Sequence, residues 1–304
     1  IDISFHGGGE PTVAWSVLKK TVEYAQQTAS ENKLDLTLSL ASNGVILPRK
    51  LEWIMKNFHG LNLSFDGPED IQDKQRMLSG GKGSFRKVMD SVNSMNSTKF
   101  PYDIRVTVTD ESVTAMGRIM EFFIHNCRAR TIHFEPAYSC GRCLHNGIKP
   151  PSPDQFIQGY RKVSKIAREN DINVAYSGTR LRTITSIFCK ATGDSFCVTP
   201  TGDITSCYEV CSREDPRSEV FFYGRFDYEK EVFILDKDKL AYLSSRTVHN
   251  IPHCKNCFCK YHCAGDCIAK STDGIDLLSI KNSTRCQINQ ALTLDRICEI
   301  LHVN

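Results

Sequence analysis

The chain has 304 residues, of which 40% are hydrophobic and 24% are charged, and its formal net charge is +3. These values are ordinary for a globular protein of one large or two smaller domains, and they give no argument for nucleic acid or an anionic membrane as a partner. No apolar run approaches the roughly 18 residues that a membrane span needs. We therefore expect no nucleic-acid partner, no membrane segment and, since no export signal is visible, a cytoplasmic location.

The first half of the chain alternates predicted strands with predicted helices. Hydrophobic periodicity indicates strands at 3–5, 34–41, 61–65, 103–109 and 131–136, and helices at 15–30, 48–58, 83–95 and 112–126. Crossovers of this length allow neighbouring strands to pair in parallel. The sequence thus predicts an α/β fold with a parallel sheet.

Unusual residues stand where these strands end. The first strand runs into three glycines and Glu10, the second ends near Asn43, the third ends at Asp66, and Arg105 lies within the fourth. In parallel α/β folds, ligand sites form at strand ends. Each residue also has a simpler role, as a turn glycine, a helix cap, a turn carboxylate or a solvated arginine. Their succession along one sheet is what favours a ligand site.

Cysteine is the outlier of the composition, with 14 residues. The array Cys254-x2-Cys257-x5-Cys263-x3-Cys267 is too regular to arise by chance, and metal or cluster ligation is the usual cause of such spacing. Zinc and [4Fe–4S] clusters both accept four thiolates, so the spacing alone leaves both open. Disulfides need an oxidising compartment, and the sequence shows no export signal, so disulfides are the less favoured explanation.

The second half has weaker secondary-structure signals. A helix is predicted at 152–170, a hairpin brings Cys197 and Cys207 together around the turn at 200–202, and further strands are predicted at 220–223 and 232–235. Helices are predicted at 236–247 and within 284–301. The pair Cys140 and Cys143, after the fifth predicted strand, is a redox pair, two metal ligands or incidental.

Four short motifs and the cysteine pattern resemble radical S-adenosylmethionine enzymes that carry a C-terminal SPASM domain. The motifs are GGEP at 8–11, SNG at 42–44, SFDGP at 64–68 and Arg105. The resemblance implies a partial (β/α)6 barrel at 1–150, a connecting helical segment at 151–187 and a small α+β SPASM domain at 188–304. It implies cofactor-binding roles for Gly8, Gly9, Glu10, Pro11, Asn43, Ser64, Asp66 and Arg105.

The resemblance also implies how the cysteines are divided between two auxiliary [4Fe–4S] clusters. The cluster nearer the barrel is expected on Cys189, Cys197, Cys207 and Cys267. The outer cluster is expected on Cys254, Cys257, Cys263 and Cys286. Cys127, Cys211, Cys259 and Cys298 are then spare.

One defining motif of the family, the CxxxCxxC that binds the third cluster, is absent from this sequence. In the family it lies on the loop before the GGEP strand, so we expect the chain to be N-terminally truncated and inactive alone. The same resemblance implies that the complete enzyme cleaves S-adenosylmethionine with one electron and abstracts a hydrogen atom from a peptide or protein in an anaerobic cell. An electron donor such as flavodoxin or ferredoxin is expected.

Two alternatives stay open. Sulfatase-maturating relatives place an Asp directly after the cysteine equivalent to Cys207, whereas Tyr208 and Glu209 follow here, so formylglycine formation is the less favoured reaction and both residues are weak catalytic candidates. The absent CxxxCxxC favours the other alternative, a non-catalytic peptide-binding module that holds a cluster or zinc.

Overall fold

The computed structural model describes residues 1–138, 147–193, 195–271, 276–280 and 283–302. The chain divides into two compact units, Ile1–Tyr176 and Ser177–Asn304. Among the described residues, no helix combines the length and the apolar character that crossing a membrane requires.

The first unit is built on a parallel sheet of six strands in sequential order. The strands are β1 (Asp2–Phe5), β2 (Thr37–Ser42), β3 (Gly60–Ser64), β4 (Tyr102–Val108), β5 (Thr131–Pro136) and β6 (Asn173–Ala175). The helices described between them are α1 (Trp15–Glu31), α2 (Pro48–Asn57), α3 (Glu69–Gln75), α4 (Phe85–Thr98), α5 (Met116–Asn126) and α6 (Pro153–Glu169). The predicted α/β class is confirmed, and β6, a strand of three residues, was not predicted.

Local sequence explains where the longer helices begin. Pro48 and Pro153 occupy first-turn positions, where the missing N–H costs nothing. Ser152 and Gln155 form a reciprocal capping box at the start of α6, which satisfies two amides that the helix leaves free. The apolar faces of these helices pack on one face of the sheet, where side chains such as Leu40, Leu63 and Ile104 are fully buried.

The second unit contains a small antiparallel sheet in the order β10-β9-β8-β7. Its strands are β7 (Cys197–Val198), β8 (Asp203–Thr205), β9 (Phe222–Asp227) and β10 (Val232–Leu235). Its helices are α7 (Ser218–Phe221), α8 (Lys237–Ser244), α9 (Lys260–Cys263), α10 (Ile268–Ser271) and α11 (Ser283–Leu301). The predicted hairpin is confirmed as β7–β8, but the strand predicted at 220–223 is partly wrong, because Val220 and Phe221 lie in helix α7 and the strand begins at Phe222.

Candidate functional site

The loop after β1 carries a glutamate that ties two strand ends together. The Glu10 carboxylate accepts hydrogen bonds from the Ser42 hydroxyl at 3.0 Å, the Asn43 amide at 2.7 Å and the Thr12 hydroxyl at 2.8 Å. It also caps the short 3-10 helix Pro11–Val13. Glu10 therefore acts both as a helix cap and as a bridge between the ends of β1 and β2.

The three glycines before Glu10 adopt backbone conformations that other residues rarely reach. Gly7, Gly8 and Gly9 have φ angles of 80°, 66° and 136°. A Cβ atom built on Gly9 would meet no atom within 4 Å, so there is open space beside this residue. A side chain there would be disfavoured by the backbone conformation and not by a clash. The loop thus exposes backbone N–H and C=O groups at the end of β1, as a ligand-binding loop requires.

One face of the parallel sheet is polar. Strand register places Ser64 beside Arg105 and Arg105 beside His133, while the alternate residues of the same strands are buried in the apolar core. Parallel sheets are ordinarily apolar on both faces. Polar residues in adjacent strands make this face the candidate ligand surface of the first unit.

Arg105 is the cation of this face. No hydrogen bond or ion pair engages its side chain within the described residues, although its charge interacts with His133. Burial lowers the pKa of His133; Glu135 raises it and Arg105 lowers it further. A half-buried guanidinium without a carboxylate partner is suited to bind an anionic ligand group.

Asp66 differs from the other strand-end residues because its carboxylate is already engaged. It accepts hydrogen bonds from Arg76 Nε at 2.7 Å and from the Thr107 amide at 2.8 Å, and its amide donates to Gln72. The residue is 1% exposed. These contacts join β3 to β4, and a role for Asp66 in cofactor binding stays a prediction.

The second unit gathers two groups of thiols from separated parts of the sequence. In the first group, thiolates at Cys267 and Cys189 would raise the pKa of Cys207, and a thiolate at Cys189 would raise that of Cys267, so the three lie near one another. Burial raises the pKa of Cys207 and of Cys267 to about 12 and also raises that of Cys189. The fourth expected member, Cys197, pairs in register with Thr205, two residues before Cys207.

The second group joins the cysteine array to helix α11. The charge of Cys286 interacts with those of Cys263, Cys254 and Cys257, and burial raises the pKa of Cys286 to about 12. Burial raises the pKa of Cys254 to about 11. These effects place Cys189, Cys207 and Cys267 in one group and Cys254, Cys257, Cys263 and Cys286 in the other. The two ligand sets that the resemblance implies stay a prediction.

Cys259, which sequence reasoning treated as spare, lies inside the second group. Its sulfur is 3.4 Å from the Cys257 sulfur, and it is 1% exposed. A hydrogen bond between Cys259 and Cys263 raises the pKa of Cys259 and lowers that of Cys263. Cys259 is the N-cap residue of the one-turn helix α9, which ends at Cys263, and this turn brings the two residues together. The spacing of the cysteines in the sequence does not show it.

Four thiolates suit either a single zinc ion or a [4Fe–4S] cluster, and the choice between the two stays a prediction. Within the described ranges, no three His, Cys, Asp or Glu side chains are close enough to hold one metal ion. Neutral thiols with raised pKa values lose their protons on metal binding, which compensates their burial.

The remaining candidates are placed less informatively. Glu209 forms an ion pair with Lys270 at 3.5 Å, and its charge interacts with Cys189, Cys207 and Cys267. Tyr208 is 41% exposed. Cys140 and Cys143 lie outside the described residues.

Known proteins resemble this chain in sequence and in fold. No family model matches the chain. The chain is 23% identical over 281 residues to a cysteine-type anaerobic sulfatase-maturating enzyme of Clostridium perfringens strain 13, a match that covers 86% of this chain and 72% of that enzyme. It is 27% identical over 118 residues to the enzyme of the same name from Clostridium novyi, which covers 38% of this chain. The matched segment spans only 31% of the length of the Clostridium novyi enzyme.

Solved structures show the same fold. Native anSMEcpe with bound AdoMet superposes with a TM-score of 0.73 at 17% identity, covering 99% of this chain and 85% of that one. Streptococcus suis SuiB bound to S-adenosylmethionine superposes with a TM-score of 0.58 at 16% identity, covering 93% and 65%. Both proteins have also been solved with peptides, Kp18Cys and the precursor peptide SuiA. The resemblance to radical S-adenosylmethionine enzymes of the SPASM type is confirmed, and the fold is theirs.

Proposed function

We propose that this chain provides the cofactor-facing sheet and the auxiliary-cluster unit of a radical S-adenosylmethionine enzyme that oxidises a peptide or protein side chain. The observation that carries the proposal is the crossed grouping of thiols, in which Cys267 joins Cys189 and Cys207 while Cys286 joins the rest of the array. The SPASM resemblance implies two clusters whose ligands are divided in this way. Bound S-adenosylmethionine and its cluster would supply the radical that abstracts hydrogen.

The residues of the polar sheet face would bind and orient S-adenosylmethionine. The glycine loop offers backbone groups to its amino end, and Glu10, held by Ser42 and Asn43, fixes the position of that loop. Arg105, which has no carboxylate of its own, would pair with the methionyl carboxylate. Ser64 stands beside Arg105 in the strand register and adds a hydroxyl.

Among peptide oxidations, formylglycine formation now has the stronger support. The sequence ranked it lower because Tyr208 and Glu209 replace the Asp of the sulfatase-maturating relatives, yet the relatives found by sequence carry that function in their names. Glu209 lies close enough to the first thiol group for their charges to interact. Glu209 also forms an ion pair with Lys270 at 3.5 Å, which holds its carboxylate in place.

Iron and sulfide analysis of the anaerobically purified chain tests the proposal directly. Two [4Fe–4S] clusters require about eight of each per chain, with the eight assigned thiols as ligands. Zinc without iron would refute the assignment. The activity test uses a protein that carries both this chain and a CxxxCxxC. It should convert a cysteine of a sulfatase-derived peptide to formylglycine, with water replacing the sulfur, which leaves as sulfide. One hydrogen atom would go to the radical to give 5′-deoxyadenosine, and the second electron would pass to an auxiliary cluster.

The cofactor site has its own test, the affinity for S-adenosylmethionine. Arg105→Gln removes one charge-assisted pair, which is worth roughly 1.5–3 kcal/mol, so the affinity for S-adenosylmethionine should fall at least about tenfold. Arg86→Gln is the matched control, because Arg86 is 90% exposed and its nearest carboxylate, Glu69, is 3.8 Å away. Equal affinities of the two variants would contradict the role given to Arg105.

A further inference from the structure

In the second unit, three arginine side chains, Arg180, Arg246 and Arg285, surround a single carboxylate, that of Asp266. Arg285 is paired with Asp266 at 2.6 Å, with side chains 5% and 2% exposed. Arg246, which is 3% exposed, donates instead to the Gly265 carbonyl and the Ser271 hydroxyl, each at 2.9 Å, and to the Leu277 carbonyl. Within the described part of the chain, Arg246 therefore has neutral partners only. A buried charge without a counter-charge is costly.

Arg180 is less satisfied still. Its Nη1 donates to the Phe188 carbonyl at 2.7 Å, and its guanidinium lies 4.7 Å from the centre of the Phe188 ring. These two contacts fix the plane of the side chain. Its Nε and Nη2 atoms are buried and have no hydrogen-bond partner among the described residues. Two charged donors are thus held in a fixed direction with nothing to receive them.

The surroundings of Arg180 show what these donors face. Its charge interacts with Cys189 of the first thiol group, Cys263 of the second and Asp266. Arg246 likewise interacts with Cys254 of the second group and with Cys267 and Cys189 of the first. Both cations are therefore shared between the two thiol groups. Asp266 also acts on Arg246, but its carboxylate is already paired with Arg285. Four thiolates would make a ligated cluster anionic, which would supply the further counter-charge that three cations around one carboxylate require.

We propose that Arg180 donates its free Nε and Nη2 hydrogens to cluster sulfur beside Cys189 and so raises the reduction potential of that cluster. The inference rests on the proposed function, because it needs the clusters to be present. When a cluster accepts one electron from the oxidised substrate, it gains one negative charge and no proton. A fixed guanidinium stabilises that added charge, and hydrogen bonds to sulfur act in the same direction. Arg180 is then a positioning residue that makes the cluster a better electron acceptor.

A redox titration of the purified chain with its clusters, followed by electron paramagnetic resonance, tests this role. Arg180→Gln should lower the equilibrium constant for reduction of one auxiliary cluster at least about tenfold, which corresponds to about 59 mV for a one-electron couple. Arg213→Gln is the matched control, since Arg213 belongs to the same unit, is 63% exposed and pairs with Asp203. Its potentials should equal those of the unmodified chain.

Arg180→Lys separates charge from hydrogen-bond geometry and serves if the glutamine variant loses its clusters. It keeps the charge without the planar fork, so a smaller fall in potential is expected. Unchanged potentials in both Arg180 variants, with full iron content, would overturn the inference and leave the proposed function intact. If Arg180→Gln holds no clusters, an unchanged potential in Arg180→Lys alone overturns it. An unmodified chain without iron would overturn both.

Discussion

The ion pair between Arg285 and Asp266 joins helix α11 to the cysteine array, and its loss should be among the most damaging single changes in the second unit. Both side chains are at most 5% exposed, and the two hydrogen bonds measure 2.6 and 2.9 Å. Arg285→Ala leaves the Asp266 carboxylate buried and unpaired, which costs about 3–5 kcal/mol. With a urea dependence of about 2 kcal/mol per molar, the unfolding midpoint should fall by about 2 M.

The same helix provides the control. Arg296 pairs with Glu299 at 2.7 Å, but the two side chains are 48% and 33% exposed. Arg296→Ala should cost only about 0.3–0.5 kcal/mol, or about 0.2 M in midpoint. Anaerobic urea unfolding, followed by far-ultraviolet circular dichroism and by cluster absorbance, measures both variants. Equal midpoints for Arg285→Ala and Arg296→Ala would show that the buried pair does not hold α11 to the array.

Two further predictions compare neighbouring positions. Cys263→Ala should reduce the iron content by about half, because one Cys₄ cluster loses a ligand, whereas Cys259→Ala should keep both clusters; equal iron in the two variants would contradict the ligand assignment. Gly44→Ala should destabilise the first unit by about 1–3 kcal/mol in thermal unfolding, since φ is +76° and the new Cβ would lie 2.6 Å from Leu63. Gly81→Ala, with φ +74° and nothing within 4 Å, should cost less because it carries the backbone strain alone.

The strands and helices of the first unit could be predicted because periodicity reports burial on one face. The strand predicted at 131–136 has the bounds of β5, and the helix predicted at 15–30 differs from α1 by one residue. β6 was missed because three residues are too few to show alternation. In the second unit, Val220 and Phe221 belong to an apolar run that is typical of a strand, but they lie in the single helical turn α7. Short elements depend on tertiary contacts that local pattern does not contain.

The candidate site could be predicted only as far as its motifs extend. The glycine loop and the cysteine spacings are local, so they were visible in the sequence. The Arg76 partner of Asp66 lies ten residues away across a helix, and the shared position of Arg180 between the thiol groups depends on the fold of the whole unit. Neither could be read from spacing. Long-range partners of charged residues are the part of a site that sequence alone does not supply.

In the proposed crossed grouping, the ligands of the first centre precede the last ligand of the second along the chain. A nascent chain that has been made as far as Cys267 already contains every thiol assigned to the first group. The second group still lacks Cys286, which follows 19 residues later (286 − 267). Because the stretch from Cys254 to Cys267 contributes to both proposed groups, loss of one centre should also disturb the ligands of the other. The two proposed centres thus share one stretch of the chain, and helix α11 supplies the last ligand of the second centre through Cys286.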